Sequence, residues 1–591
     1  MPESHLSVLR QEVSRLGLGG LMVPRADEHL GEYVPPAAER LAWLSGFTGS
    51  AGVALVLPNR AAIFVDGRYV LQVAEQTDPA QWERHHLIDE PPYLWLAAAV
   101  PAGTRIGYDP LLLSENELGR YLDAGLTMVP LAANPIDAVW SDRPAPPLAP
   151  ARPHPLTFSG RTSADKRTAL GAALRAAGQE AAVLTDPASI AWLFNIRGDD
   201  VPFTPFALGF ALLYDTGRAA LFMDPRKLPA DTRAWLGNEV ALSDRAALGT
   251  ALAGLAGRRV RVDPSTAPVW FAQTLRTAGA EVCPAPDPCA LPKAAKNAVE
   301  QQGAREAHAH DAVALARFYA WLAQVVKEGA GHITEADAAA RLHALRAEDP
   351  DFLGESFETI PGTGEHAAIN HYHVTPESNR AVAPGETFLV DAGAQYAFGT
   401  TDVTRTIWTG PGAAPDEIRA QATRVLQGHI ALATVVFPQG TSGLQIDAVA
   451  RAPLWRAGLD FDHGTGHGVG SYLSVHEGPC RISKAASLVP LAAGMILSDE
   501  PGYYVGGSHG IRLENLLMVI PAALPGATRP FLAFETLTFT PFDRALIEPA
   551  LLAPEEIAWV DAYHRQVLAR VGGKVDPATR AWLERACAPL A

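Results

Sequence analysis

Between Pro144 and Pro155 the chain reads PAPPLAPARPHP, and six of those twelve residues are proline. Each proline holds φ at about −65° and removes a backbone donor, so neither a helix nor an interior strand can cross the segment. An extended spacer remains, and one domain must end before it. A softer break runs from Pro284 to Lys296, PAPDPCALPKAAK, ahead of a stretch from Asn297 to Val326 with apolar residues at helical spacing. The 591 residues leave room for three domains, expected at 1–150, 151–295 and 296–591.

The first two are expected to be relatives. RLAWLSGFTGS, Arg40 to Ser50, is echoed by SIAWLFNIRGD, Ser189 to Asp199. Each copy follows an apolar strand (GGLMVP from Gly19, AAVLTD from Ala181) and precedes a strand pair (VALVLPNRAAIFVDGRY from Val53, LGFALLYDTGRAALFMD from Leu208). Chance recurrence in an Ala- and Leu-rich chain does not reproduce the order of elements, whereas a duplicated α/β unit does. Neither copy carries a catalytic cluster, so their expected job is to cover, orient or oligomerise the third domain.

Composition narrows the partners. Sixty-four acidic residues against 48 basic ones leave a net charge of −16, the wrong sign for gripping phosphate backbones. Cys283, Cys289, Cys480 and Cys587 form neither a disulfide framework nor a C-x2-C zinc clamp. At the N-terminus, Glu3, Arg10 and Glu12 interrupt what a signal peptide would need as an apolar core, and no run reaches ~18 uncharged apolar residues. The expectation is a cytoplasmic protein with neither nucleic acid nor membrane as partner.

The chemistry concentrates after residue 387. TFLVDAGAQYAFGTTDVTRTIWT, Thr387 to Thr409, reads as a hairpin turning near Tyr396 and Ala397, with Asp391 and Asp402, eleven residues apart, roughly opposite each other. Two like charges there require a cation between them; taken alone, they read equally as turn caps or ion-pair partners. DHGTGHGVGSYLSVHEGP, Asp462 to Pro479, sets His463, His467 and His476 among glycines. No helix opens behind those glycines, which removes the dinucleotide-loop reading and leaves close backbone approach to a metal centre. Glu500 ends an apolar strand in SDEPGYY. Glu514 is expected inside the next strand, GIRLENLLMVI, where it needs a cationic partner, Arg512 being one alternative. Four carboxylates and one imidazole suit two divalent ions; ligand hardness favours Mn2+, with Co2+ or Zn2+ as alternatives and Mg2+ disfavoured by the imidazole.

The ordered set Asp391, Asp402, His467, Glu500, Glu514, in the strings DAGAQY, GTTDVTRT, HGTGHGVG, SDEPGYY and GIRLEN, closely resembles the pita-bread metallopeptidases, specifically their three-domain Xaa-Pro aminopeptidase (aminopeptidase P) group. GFTGSAG, VDGRY, RGDDVPFTP and HYHVTPESNR extend the likeness along the chain. The resemblance implies two related creatinase-N-like α/β domains followed by an α+β pita-bread catalytic domain. It implies that Asp391 binds one metal, that Asp402 and Glu514 bridge both, and that His467 and Glu500 bind the other. It further implies that His371, His463 and His476 line the site and stabilise the tetrahedral intermediate, that Arg512 fixes the bridging Glu514, and that the chain is a homodimer. His373 competes with His371 for its role. His308, His310, His366 and His509 match nothing and are expected at the surface.

The implied reaction is attack by a hydroxide shared between the metals on the first peptide bond of a peptide whose second residue is proline, with Glu500 a candidate proton shuttle. Proline preference comes from the resemblance alone. The rivals are a prolidase-type dipeptidase and a non-catalytic pita-bread binding protein.

Overall fold

The computed structural model describes residues 4–329, 333–485 and 487–590. The chain divides into two compact units, Met1–Leu156 with Arg161–Ala290, and Thr157–Gly160 with Leu291–Ala591. The first unit takes in 1–150 and most of 151–295, while 157–160 and 291–295 belong to the second. The expected duplication is visible in the topology. Strands β1 (Gly20–Pro24), β2 (Val53–Val56), β3 (Ala61–Val65), β4 (Glu83–His86), β5 (Arg105–Tyr108) and β6 (Thr127–Pro130) form a sheet of order β4-β3-β2-β1-β5-β6. Ala181–Leu184, Phe210–Tyr214, Ala219–Phe222, Val240–Ser243, Arg259–Val262 and Glu281–Pro284 form a second sheet in the same order, with the same parallel and antiparallel neighbours.

The repeated Ala-Trp-Leu segments are equivalent helices, Arg40–Ser45 and Pro187–Phe194. Each ends on a left-handed residue, Gly46 at φ 80° and Asn195 at φ 50°, the conformation that terminates a helix and that glycine and asparagine tolerate best. The proline-rich spacer runs without helix or strand to Ala151, then pairs Arg152–Pro153 with Ile196–Arg197. Within it Ala149 donates to Asp200 Oδ1 and Ala151 to the Lys227 carbonyl.

The long helix of the second unit is Ala298–Gly329, as the apolar spacing after Asn297 predicts. Its framework is two antiparallel sheets. One joins Ile360–Thr363, Thr387–Ala392 and Val403–Trp408; the other joins Phe437–Pro438, Phe531–Thr536, Asn515–Ala522 and Ile496–Asp499. Helices Asp416–Ala433 and Pro554–Val571 close one apolar core through Val425, Leu426, Ile430, Val560 and Val567. Burying each such side chain is worth about 1.5–3 kcal/mol of transfer free energy. Among the described residues no helix is long and apolar enough to cross a membrane.

Candidate metal centre

Thr387–Ala392 and Val403–Trp408 pair antiparallel with Asp391 opposite Thr404. Between them a smaller hairpin, Ala394–Tyr396 against Gly399–Thr400, makes the turn. Asp391 and Thr404, opposite each other, share one face, and Asp402 stands just ahead of the second strand, two residues before Thr404. Both aspartates are buried.

His467 arrives from the glycine-rich segment, whose glycines serve backbone approach. A Cβ at Gly466 would lie 2.0 Å from the Ser498 carbonyl oxygen, and one at Gly468 would lie 2.2 Å from that of Glu477. The strand Ile496–Asp499 therefore passes close enough for the His467 N–H to donate to Ser498 Oγ at 2.9 Å. The Ser498 hydroxyl in turn donates to Glu500 Oε1 at 3.1 Å. Glu514 reaches the same space differently from expectation. It occupies a two-residue break between the strands His509–Arg512 and Asn515–Ala522, its N–H donating to the Thr404 carbonyl at 3.1 Å. Thr404 Oγ1 donates to its carboxylate at 2.7 Å.

The side chains converge. One ligand atom each from Asp402, His467 and Glu514 lies within 4.8 Å of the others. His467 Nε2 is 3.4 Å from Asp402 Oδ2 and 3.5 Å from Glu500 Oε1. Asp391 feels the same charges: burial, with the charges of Asp402 and Glu500 adding to it, pushes its carboxyl up to about 6 against the opposing pull of Arg512. Glu514 is raised well above the usual range by burial and by Asp402, Asp391 and Glu500. Burial works against protonation of His467, yet Asp402 and Glu500 beside it prevail and lift it to about 9. These shifts are the signature of excess negative charge in low dielectric. Asp391 Oδ1 is buried with no protein partner. That orphaned oxygen and the oxygen-rich donor set fit divalent cations.

Arg512 reaches Glu514 only through Thr404: its Nε donates to Thr404 Oγ1 at 3.3 Å, and that hydroxyl donates to the Glu514 carboxylate; its direct carboxylate contact is with Asp391. Its Nη2 donates to Asp391 Oδ2 at 2.6 Å and its Nη1 to the Tyr504 hydroxyl at 2.9 Å. The strand ends at Arg512, so the two-residue alternation that would have aimed it at Glu514 is broken there. Arg512 Nη2 also approaches the carbonyl of Asn370, next to His371, at 3.4 Å. His373 is turned to Glu358 at 2.7 Å, a contact that raises its pKa. His476 meets the His467 ring edge-on, centroids 4.3 Å apart. His463 donates from Nδ1 to the Gly464 carbonyl at 2.8 Å and accepts the Tyr504 hydroxyl at Nε2, also 2.8 Å, while burial holds it down at about 4.

Tyr504, Thr404 and Ser498 are the residues sequence reasoning missed, although Ser498 and Tyr504 lie inside SDEPGYY and Thr404 inside GTTDVTRT. The unmatched histidines correct another expectation. His308 and His509 are buried, bonded to the Ala304 carbonyl and to Gln421 Oε1, and His310 and His366 are partly buried against Asp349 and Glu335. A histidine that satisfies a ring nitrogen locally enters a core at little cost.

The chain is similar to known proteins along its length. The model of metallopeptidase family M24 matches residues 302–521, that of the C-terminal region of peptidase M24 matches 530–590, and two Creatinase/Prolidase N-terminal domain models match 6–133 and 142–300. The "Probable Xaa-Pro aminopeptidase P" of Aspergillus fumigatus is 38% identical over 609 residues, covering 99% of this chain and 92% of that protein. The namesake from Colletotrichum graminicola is 37% identical over 617 residues, covering 99% and 98%. Among solved structures, the X-prolyl aminopeptidase of Caenorhabditis elegans, described as a cytosolic enzyme with a di-nuclear active site, superposes with a TM-score of 0.93 at 32% identity, covering 99% of each chain. With two creatinase-type N-terminal domains ahead of a pita-bread catalytic domain and full-length similarity of this order, the chain belongs to metallopeptidase family M24.

Proposed function

We propose that this protein is a metal-dependent aminopeptidase that releases the N-terminal residue from peptides with proline in second position. The observation that carries the reading is the convergence of Asp402, His467 and Glu514 beside a buried, unpartnered oxygen of Asp391. Full-length similarity to proteins named for Xaa-Pro hydrolysis supports the substrate class.

In this reading Asp391, Asp402, His467, Glu500 and Glu514 would hold two divalent cations, with Asp402 and Glu514 the residues proposed to serve both. Bound there, the cations supply Lewis-acid polarisation of the scissile carbonyl and lower the pKa of water. The protein does the rest. Arg512 fixes the orientation of Asp391 and neutralises one of the four carboxylates. Tyr504 links Arg512 to His463, so that His463, kept neutral and bonded at both ring nitrogens, braces the arginine. His371 and His476 then take the substrate-facing part: an imidazole N–H aimed at the developing oxyanion is the kind of donor worth about 3 kcal/mol in other hydrolases. Glu500 Oε1, oriented by Ser498, is the candidate for carrying a proton to the prolyl nitrogen as the amide bond breaks.

Mn2+ is the proposed physiological metal, the cytosol the proposed compartment, and a homodimer the proposed assembly. The test is the rate of release of the first residue from Xaa-Pro-Pro, Xaa-Ala-Pro and the dipeptide Xaa-Pro with added Mn2+. Rapid release from the first is expected. Cleavage of the dipeptide alone would establish a dipeptidase instead, and no turnover together with no metal uptake would establish a binding protein.

A further inference from the structure

Behind the carboxylates a second set of polar groups is buried that no step of the proposed reaction uses. His429 sits in the helix Asp416–Ala433 with 0% exposure, its ring set between Phe542 and Trp559. Its Nδ1 is 3.1 Å from the Asp499 carbonyl oxygen and 3.3 Å from Asp499 Oδ2, and its Nε2 is 3.0 Å from Asn515 Nδ2. Asp499 and Asn515 face each other across the ladder, and their chain neighbours are Glu500 and Glu514. Arg405, equally buried, donates from Nη2 to Asn515 Oδ1 at 2.7 Å, and from Nη1 to the Glu514 carbonyl at 2.6 Å and the Thr404 carbonyl at 2.8 Å.

The direction of every bond in this set follows from one group. A guanidinium only donates, so Asn515 Oδ1 must be the acceptor and its NH2 must face His429. His429 Nε2 therefore accepts, which leaves the proton on Nδ1 to be donated to the Asp499 carbonyl. Burial, reinforced by the charge of Arg405, holds the ring neutral by pushing it down to about 3, so this single tautomer persists at physiological pH.

We propose that Arg405, Asn515 and His429 form a directional hydrogen-bond chain that sets the spacing between Glu500 and Glu514, making His429 a positioning residue for the divalent-cation site. The inference rests on the metallopeptidase reading and adds residues to it. Glu514 is held through its own carbonyl by Arg405. Glu500 is held one residue away, by the anchor of Asp499 to the helix. Without His429 the two strand ends keep their ladder bonds but lose the common reference that fixes one carboxylate against the other.

Calorimetric titration of Mn2+ into the chelator-stripped full-length protein tests this. His429→Gln and Asn515→Asp should each weaken Mn2+ binding by ~10-fold or more, and the double variant should be no worse than the poorer single one, because both break the same chain. Val425→Ala, one helical turn earlier in the same core, should lower the thermal midpoint and leave Mn2+ affinity alone. If His429→Gln fails to fold, Asn515→Asp, which keeps the Arg405 bond, carries the test. Wild-type affinity in the folded variants, or an equal loss in Val425→Ala, overturns the positioning role while leaving the enzyme assignment intact. A wild-type protein that takes up no Mn2+ overturns the metallopeptidase reading and this inference with it.

Discussion

Asp391 gives one oxygen to Arg512 and keeps the other buried without a protein partner, which defines how individual substitutions should behave. Asp402→Asn keeps the shape of a buried side chain beside His467 but removes a charge that two cations would share. Turnover should vanish while the circular dichroism spectrum stays that of the wild type; retained activity would contradict the proposed sharing of Asp402. A different residue, His564, reports on stability. It is buried, accepts the Phe542 N–H at Nε2, and is held down at about 4, chiefly by burial. Its folded pKa is below the unfolded value, so its contribution is complete above about 6.5 and is lost as pH falls towards about 4, at ~1.4 kcal/mol per pH unit. Chemical denaturation of wild type and His564→Gln at pH 7, 6 and 5 should show a shallower decline in the variant.

At the scale of elements, the glycine-rich segment shows how small residues decide a site they do not touch chemically. Gly466 lets the His467 backbone lie against the strand that leads to Glu500. In Gly466→Ala the new Cβ meets a backbone oxygen, which cannot rotate away, so a cost of about 1–3 kcal/mol in stability is expected. Weaker Mn2+ uptake should accompany it, measurable by thermal denaturation with and without the ion. The hairpin carrying Asp391 and Asp402 was readable because its strands alternate and its turn is built of small residues. The placement of Glu514 was not: GIRLENLLMVI looks like one apolar strand, and nothing local marks the break. That break arises because the Glu514 N–H pairs with Thr404 on a strand more than a hundred residues earlier.

For the molecule as a whole, activity should depend on bound metal. Dialysis against a chelator should abolish release of the first residue from Xaa-Pro-Pro, and Mn2+ should restore it; full activity after verified metal removal would exclude the mechanism. How much was legible without coordinates follows the range of the interactions involved. The duplicated N-terminal sheets, the spacer, the long helix and the identities of the five proposed ligands came from strings whose meaning is local: periodicity, proline's missing donor, and acidic residues set in apolar strands that cannot bury a charge unaided. Which protein group each of these side chains meets came only from folding. Arg512 belongs to Asp391, Tyr504 joins it to His463, and Arg405 fixes through Asn515 the tautomer of His429. The chain on its own determined which groups are available for metal chemistry, because composition and spacing suffice for that. Only the tertiary structure decided how they are paired and oriented, because a buried polar group takes its partner from whatever distant strand the core presses against it.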